Sequence, residues 1–143
     1  MRRFFLPVAL LLLPLAACQS ATPGDNAVMN APSNLVTLSG AALYHERIAL
    51  PSDARLTVTI SDVSLMDVAA PTIAEIEIAA EGRQVPLPFS LDYDPGRIDP
   101  RGRYAVSARI TDGAGQLLWI TDTHVDLPRP GETVELLLVR TGR

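Results

Sequence analysis

Few side chains in this 143-residue sequence are of the types that perform covalent chemistry. There is one cysteine, Cys18, and there are two histidines, His45 and His124. A thiol can act as a nucleophile or carry an acyl group, and a histidine can serve as a general base. Neither histidine lies in a motif that pairs it with a nucleophile and a carboxylate. The sequence therefore predicts that the protein is not an enzyme.

Three aspartates around one turn are the best candidates for a metal site. They are Asp92, Asp94 and Asp99, and carboxylate oxygens suit a hard cation such as calcium. The spacing of an EF-hand is absent, and Pro95 and Pro100 explain the loop without a metal, because Asp-Pro pairs favour turns. Zinc is not indicated, since no cysteine or paired-histidine set is present. We predict neither a metal nor another cofactor.

The residues before Cys18 form a recognisable targeting segment. Arg2 and Arg3 are followed by an apolar run from Phe4 to Leu15, and then by two alanines. A basic start, a short apolar stretch and a zone of small residues are typical of a secretory signal peptide. The run is shorter than the roughly 20 residues that a transmembrane helix needs. Residues 1–17 are therefore predicted to be a signal peptide that is cleaved.

The stretch Leu15-Ala16-Ala17-Cys18 closely resembles the lipobox of bacterial lipoproteins. That resemblance implies a diacylglycerol on the Cys18 thiol, cleavage just before Cys18 and acylation of the new amine. Several acyl chains anchor a protein stably in a bilayer, whereas one binds only marginally. The lipid bilayer is thus a predicted partner, reached through acylated Cys18. The alternative is cleavage elsewhere, for instance before Gln19.

The charge balance of the chain is acidic. The formal net charge is −4, and removal of residues 1–17 would take away two arginines and no acid, which leaves −6. This balance argues against nucleic acid as a partner. With Cys18 acylated, no disulfide could form, so the domain would be stabilised by its hydrophobic core.

Residues 18–34 are predicted to form the acylated cysteine and a flexible tether. The stretch from Gln19 to Asn34 is small, polar and interrupted by prolines and glycine, without an apolar period. A flexible chain of this length has a root-mean-square span of roughly 20–25 Å. The sequence therefore predicts a domain that stays close to the membrane.

From residue 35 on, apolar residues recur at every second position, which is typical of half-buried strands. Seven stretches show this pattern, near residues 36–42, 55–60, 73–78, 87–89, 104–110, 118–125 and 133–140. The third could be a helix by propensity, but Ile76 and Ile78 alternate with glutamates and favour a strand. We predict an all-β fold for residues 35–143, a single antiparallel β-sandwich of about seven strands.

Turn residues support this division of the chain. Asp112-Gly113-Ala114-Gly115, between the fifth and sixth stretches, is typical of a hairpin. Pro86 and Pro88 flank Leu87, so the fourth strand is expected to be short or to lie at an edge.

Apolar residues late in the chain are candidates for contact with a protein partner. Trp119, the only tryptophan, faces away from Leu118 and Ile120 on strict alternation. It either closes the core or is an exposed anchor for a partner. The last strand contains three consecutive leucines. It is either central or offers an edge or groove for strand addition, with Leu136 and Leu138 as candidate contacts.

Arginines form one local basic stretch in an otherwise acidic protein. Arg101 and Arg103, with Arg97 and Arg109 nearby, are candidates for docking an acidic partner or lipid headgroups. The alternative is pairing with neighbouring aspartates within the chain, which contributes little stability at a surface.

Five further stretches are distinctive. They run from Tyr44 to Pro51, from Asp62 to Ser64, from Val85 to Phe89, from Ile98 to Val106 and from Leu118 to Asp122. Together with the lipobox, they resemble the YbaY/YscW-like family of bacterial lipoproteins. The resemblance covers nearly all of residues 43–125. It implies a β-sandwich and carries no catalytic motif.

The best-described branch of that family comprises pilotins of type III secretion systems, lipoprotein chaperones that bind a secretin subunit and help it reach the outer membrane. The resemblance thus implies an anchored periplasmic lipoprotein that binds another envelope protein, secretin-like or otherwise. Gln19, rather than Asp, after the acylated cysteine implies sorting to the outer membrane. The alternatives are a module that binds a small molecule or envelope component, and a purely structural envelope lipoprotein.

Overall fold

The computed structural model describes residues 34–142. The signal peptide, Cys18 and nearly all of the predicted tether lie outside these residues. Within the described range the chain forms eight strands and one short 3₁₀ helix. They are β1 (Val36–Leu43), β2 (Arg55–Asp62), β3 (Thr72–Ala79), β4 (Leu87–Tyr93), the 3₁₀ helix (Pro95–Arg97), β5 (Tyr104–Thr111), β6 (Leu117–Ile120), β7 (Thr133–Leu137) and β8 (Val139–Arg140).

The strands form two sheets that pack face to face. One sheet has the order β4-β1-β7 and the other the order β3-β2-β5-β6-β8. The predicted all-β sandwich is confirmed. One pairing departs from the antiparallel expectation, because β7 runs parallel to β1, with Ser39 opposite Thr133 and Leu43 opposite Leu137. The long connection before β7 brings the chain back to the same end of the sheet and permits this direction.

Period-two alternation accounts for which side chains form the core. In β4, Leu87, Phe89, Leu91 and Tyr93 are buried, while the residues between them are exposed. Side chains of successive residues point to opposite faces of a strand, so this alternation covers one face of the sheet. The largest fully buried side chains come from both sheets and from the link between β7 and β8. They are Leu56, Val58, Ile60, Val106, Ile110, Leu136 and Leu138.

The third stretch is a strand, as its alternation predicted, and its glutamates explain why helix propensity does not prevail. Glu75 accepts a hydrogen bond from the Thr59 hydroxyl at 2.9 Å, and Glu77 pairs with Arg55 at 2.7 Å. Both contacts cross from β3 to β2 on the exposed face. Cross-strand pairs of this kind stabilise a sheet.

The fourth strand lies at an edge, as its prolines predicted, but it is seven residues long rather than short. Pro88 lies opposite Ala41 of β1. An edge strand tolerates proline, because a missing N–H costs nothing on the side without a neighbour.

The sixth strand is shorter than predicted and ends at Ile120. The Thr121 hydroxyl oxygen accepts a hydrogen bond from the Ala108 N–H at 2.9 Å. The Ala108 N–H thus bonds to a side chain instead of to a backbone carbonyl of the neighbouring strand. Residues 121–125 do not continue β6.

The predicted seventh strand is in fact two strands in different sheets. The Leu138 N–H donates to the Leu43 carbonyl in the smaller sheet, and the Thr141 N–H donates to the Leu118 carbonyl in the larger one. Buried Leu138 lies at the crossing point. Of the three consecutive leucines, Leu136 and Leu138 enter the core and Leu137 is exposed, so the apolar run does not mark a strand that is buried on both faces.

Candidate partner-binding surface

Trp119 lies in the core, which decides between the two alternatives for this residue. It is 2% exposed, and its ring stacks on Tyr44 with centroids 4.4 Å apart and planes 10° apart. The Tyr44 hydroxyl donates to the Ile48 carbonyl at 2.6 Å. Burial, with a smaller contribution from Glu46, raises the pKa of that hydroxyl. Trp119 is therefore not an exposed anchor, which corrects its place among the candidate contacts.

Leu136 and Leu138 are also core residues, which corrects their prediction as side-chain contacts for a partner. Both are buried between the sheets. Leu137 points the opposite way and is 40% exposed, as the alternation of a strand requires. The surface that β7 offers is thus its outward face and its open edge.

The open edge of β7 carries hydrogen-bonding groups of the backbone. The strand pairs with β1 on one side only. Since the Leu138 N–H points to β1, alternation along the strand turns the backbone groups of Glu135 and Leu137 away from β1. Such an edge can accept an extended peptide.

The predicted arginine contacts lie at one end of the sandwich, on the loop before β5. The Arg101 side chain is 92% exposed, and its Nε lies 3.6 Å from Asp99 Oδ1. The Arg103 backbone accepts from the Val63 N–H and donates to the Ser64 hydroxyl, each at 2.8 Å. Arg97 instead turns its guanidinium to the carbonyls of Thr72 and Ile73 in β3. Arg101 and Arg103 therefore keep their guanidinium groups accessible, whereas Arg97 is used within the fold.

An open groove of about 410 Å³ lies at this same end, between the two sheets. Its apolar lining includes Tyr93 at the end of β4, Tyr104 at the start of β5, Ile98 and Leu127. Prolines border it, and Arg103, Arg129, Asp99 and Asp126 bring both signs of charge to its rim. Burial raises the pKa of the Tyr93 hydroxyl. An apolar floor with a few charged groups around it is typical of a binding site.

The wall of the groove that contains Ile98 is fixed by Tyr104. The Tyr104 hydroxyl accepts from the Asp99 N–H at 2.8 Å and is 3.5 Å from the Arg97 carbonyl. Gly102 lies directly on the Tyr104 ring, where a Cβ would come within 2.8 Å of ring carbon. The Asp94 carboxylate accepts from the Gly96 N–H at 2.8 Å and begins the 3₁₀ helix. The groove is therefore held in shape before any partner arrives.

The titratable groups near the groove form local contacts. His124 Nε2 lies 2.8 Å from Asp126 Oδ1, and both side chains are largely exposed. No hydroxyl of residues 34–142 is hydrogen-bonded to that imidazole. Asp92 and Asp99 accept from Thr37 and from the Arg101 N–H. In the described part of the chain, no three acidic, histidine or cysteine residues are arranged to hold a metal ion.

Sequence reasoning identified Arg103 but missed the groove that it borders. Tyr93 and Ile98 are close in the sequence, but Leu127 comes from a distant segment, and no local pattern joins it to the other two. The sequence contained one signal for a functional loop. The stretch from Ile98 to Val106 resembles the family, yet its residues before Tyr104 lack the apolar alternation of a strand. Helices long and apolar enough to span a membrane were not found among residues 34–142.

A small β-sandwich with an open, preformed apolar groove is the architecture of a binding domain. A family model described as a type III secretion system lipoprotein chaperone (YscW) matches residues 33–138. The chain therefore belongs to the YscW lipoprotein chaperone family, and the resemblance found in the sequence is confirmed. A chaperone family fits the prediction that the protein is not an enzyme.

Two similar proteins extend this result. The lipoprotein YbaY of Escherichia coli is 34% identical over 139 residues, which cover 89% of this chain and 73% of that protein. The solved structure of an alternative pilotin from the type II secretion system of Vibrio cholerae is 41% identical, with a TM-score of 0.71. The match covers 76% of this chain and 99% of that chain. These relatives support a chaperone-like lipoprotein associated with the cell envelope.

Proposed function

We propose that this chain is a pilotin-like lipoprotein of the outer membrane whose domain faces the periplasm and binds a segment of another envelope protein. The observation that carries the proposal is the likeness to the Vibrio cholerae pilotin, which extends over 99% of that chain at 41% identity. The TM-score of 0.71 and this identity together support a shared fold and a related role. A secretin or a similar envelope protein is therefore the proposed partner.

Anchoring through acylated Cys18 is the second part of the proposal. It is supported by the sequence Leu15-Ala16-Ala17-Cys18 and by the lipoprotein YbaY among the relatives. Gln19 after the cysteine supports the outer membrane as destination. An anchor raises the local concentration of the domain near the membrane, so that a weak single contact is sufficient to retain a partner there.

The groove between Tyr93 and Tyr104 is the proposed binding site for the partner segment. Its floor would accept an apolar side chain, and its rim offers Arg103 and Arg129 to acidic groups. The wall that contains Ile98 is already held by the Tyr104 hydroxyl, so little conformational entropy is lost there on binding. Of the sequence-predicted contacts, Arg103 lies on this rim, and Arg101 lines an adjoining hollow.

The edge of β7 is a second candidate surface for a partner. It is favoured by the outward backbone groups of Glu135 and Leu137 and by the exposed Leu137 side chain. An extended segment could add there as a further strand. The groove is preferred because it combines concave shape, apolar floor and charged rim.

A small-molecule ligand is supported less well than a protein segment. Sites for small ligands usually enclose most of the ligand surface, whereas this groove is open to solvent. An open groove suits a chain segment that continues beyond the site at both ends.

The proposal is tested by affinity purification of the full-length lipidated chain from detergent-solubilised membranes of cells that contain a secretin. The groove variant carries Ile98→Gln and Leu127→Gln, and the edge variant carries Glu135→Pro, which removes an outward N–H without disturbing the bonds to β1. Ser90→Gln, on the exposed face of β4, is the matched control. We expect the wild type, the control and the edge variant to retain the secretin and the groove variant to lose it.

The other outcomes are decisive as well. Retention by the groove variant together with loss by Glu135→Pro would move the site to the β7 edge. If the wild type retained no envelope protein at all, the partner-binding function itself would be refuted. Circular dichroism of each variant checks that the sandwich is intact.

A further inference from the structure

The loop between β2 and β3 presents the most exposed apolar side chains of the described chain. Leu65, Met66 and Val68 are 68%, 81% and 57% exposed. The other large exposed apolar residues are single and scattered, and none exceeds half exposure. Three such residues within four positions form a local apolar tip, and exposed apolar patches of this kind mark interaction sites.

The base of this loop is built to hold the tip away from the sheet. The Asp62 N–H donates to the Pro71 carbonyl at 2.9 Å and closes the loop. The Val63 N–H donates to the Arg103 carbonyl, and the Ser64 hydroxyl accepts from the Arg103 N–H, each at 2.8 Å. The Ser64 N–H donates to Asp62 Oδ1 at 2.9 Å. The exposed tip therefore extends from a well-bonded base.

The tip lies at the end of the sandwich where the described chain begins. Val36, at the start of β1, is opposite Tyr93 in one sheet, and Asp62, before the loop, is opposite Tyr104 in the other. Tyr93 and Tyr104 line the same groove, so both strand ends lie at one end of the domain. Leu35, half exposed, adds a further apolar residue there.

The position of Cys18 in the sequence indicates that the end of the domain with the apolar tip meets the membrane. Cys18 lies 16 positions before Asn34, and the tether proposed between them would span roughly 20–25 Å if it is flexible, as its sequence predicts. A domain held that close to its anchor reaches the bilayer most readily with the end at which the chain enters. Arg101 extends beside the loop, while Asp62 and Asp67 carry the opposite charge. Apolar contact, rather than charge, therefore dominates this surface.

We propose that Leu65, Met66 and Val68 lie in the bilayer interface and form a second membrane contact, which holds the tethered domain with this end against the membrane. The proposal rests on the proposed anchoring through Cys18. Asp67, between Met66 and Val68, limits the depth to the headgroup and upper acyl region, where its carboxylate stays hydrated. The groove then faces the space just above the membrane surface, where a bound partner segment would be presented to the bilayer.

The test uses the full-length lipidated protein in vesicles of phosphatidylethanolamine and phosphatidylcholine. If Cys18 is acylated, a cysteine introduced at Met66 is the only free thiol and accepts an environment-sensitive fluorophore. Ala114→Cys is the matched control, because it lies in the exposed turn beyond Thr111, at the opposite end of β5. Vesicles with brominated acyl chains quench a fluorophore that is immersed among them.

We expect the fluorophore at Met66→Cys to shift to the blue and to be quenched at least about twofold more than the one at Ala114→Cys, since only the former reaches the interface. A protein that floats with the vesicles but shows equal, weak quenching at both sites would refute the loop contact and leave the anchor standing. A protein that fails to float would refute the anchor and the loop contact together.

A protein partner at the loop gives a different result. In that case the Met66→Cys fluorophore would stay unquenched on protein-free vesicles and shift only when membrane extract is added, which would overturn the proposal. A second check places the fluorophore at Ala70→Cys, with and without the substitutions Leu65→Gln, Met66→Gln and Val68→Gln. The anchor is unchanged in both proteins, and the quenching seen with the native loop should be lost in the substituted one.

Discussion

The rings of Tyr44 and Trp119 lie 4.4 Å apart and nearly parallel in the core of the sandwich. These residues belong to two of the stretches by which the sequence resembles its family, one after β1 and one in β6. The stack therefore connects the segment that leaves the smaller sheet to a strand of the larger one. Two of the most recognisable parts of the sequence serve the core rather than a binding surface.

Removal of the Trp119 ring is expected to destabilise the fold. Trp119→Ala should lower the free energy of unfolding by about 3–5 kcal/mol, because it removes the stack and leaves a cavity. Tyr44→Phe keeps the stack and loses only the bond to the Ile48 carbonyl, which should cost about 0.5–1.5 kcal/mol. Urea denaturation followed by circular dichroism measures both. If Trp119→Ala unfolded at the same urea concentration as the wild type, the assignment of Trp119 to the core would be contradicted.

Gly40 is required where β7 approaches β1. A Cβ at this position would collide with the Val134 carbonyl and come within 2.7 Å of the Phe89 ring. Gly40→Ala should therefore cost about 1–3 kcal/mol through overpacking. Ser39→Ala, on the other face of β1, should change stability by less than about 0.5 kcal/mol. The two unfolding midpoints should differ clearly, and equal midpoints would show that the pairing of β1 and β7 is looser than the structure indicates.

The Tyr104 hydroxyl is expected to control the wall of the groove. Tyr104→Phe removes the acceptor of the Asp99 N–H and should cost about 1 kcal/mol. Tyr93→Phe is the control, since the Tyr93 hydroxyl forms no hydrogen bond to another residue of the described chain. Amide hydrogen exchange should become faster at Asp99 in Tyr104→Phe and stay unchanged in Tyr93→Phe. Unchanged exchange in both would mean that backbone bonds alone hold the loop.

Asp62 should titrate at unusually low pH. Hydrogen bonds from the Ser64 side chain and backbone N–H favour the ionised carboxylate and hold the pKa of Asp62 below its usual range. Because the folded pKa is depressed, this contribution to stability is complete above the unfolded pKa and is lost as the pH falls through the folded pKa. The base of the loop should therefore loosen only in acid.

Carboxyl chemical shifts recorded by NMR against pH measure this effect directly. Ser64→Ala should move the pKa of Asp62 back up towards its ordinary value, because the side-chain bond is gone. Asp62→Asn should remove this part of the acid dependence altogether. An ordinary pKa for Asp62 in the wild type would show that the loop base is open in solution.

Cys18→Ser should abolish membrane retention if the cysteine carries the anchor. The wild type should stay with membranes after a high-salt wash, and its intact mass should match a chain that starts at an acylated Cys18. The variant should be recovered in the soluble fraction. A mature wild-type chain that starts at Gln19, or that carries a thiol reactive with maleimide, would contradict acylation.

Much of the strand pattern was predictable from local alternation. The stretches around Leu87 and Val106 are strands in which buried and more exposed residues alternate as predicted. The stretch around Leu56 is also a strand, but Thr57, predicted to face away from the core, is buried as well. The end of β6 was not predictable from local alternation. It depends on the Thr121 hydroxyl, which accepts the Ala108 N–H of β5 in place of a backbone carbonyl. The crossing of the last segment at Leu138 was missed for a similar reason, since apolar residues on both sides fit a central strand equally well.

The candidate site was the least predictable part. Arg103 was singled out by its charge, but Leu127 joins Tyr93 and Ile98 only because the chain after β6 returns to the start of β5, where the Leu127 N–H donates to the Tyr104 carbonyl. Trp119, Leu136 and Leu138 looked equally suited to a core and to an interface. Hydrophobicity drives burial in both cases, and a linear pattern does not show what covers a given face.

By itself, the sequence determined the class of the fold and the family, because strand alternation, turn residues and short motifs are local and need no partner. The signal-like pattern of residues 1–17 is equally local, and it stays a prediction because it lies outside the described residues. Only the tertiary structure decided that the aromatic pair is internal, that β7 runs parallel to β1, and that the groove and the apolar tip share one end of the domain. Those features depend on which distant segments meet, and that choice is made by packing two whole sheets against each other.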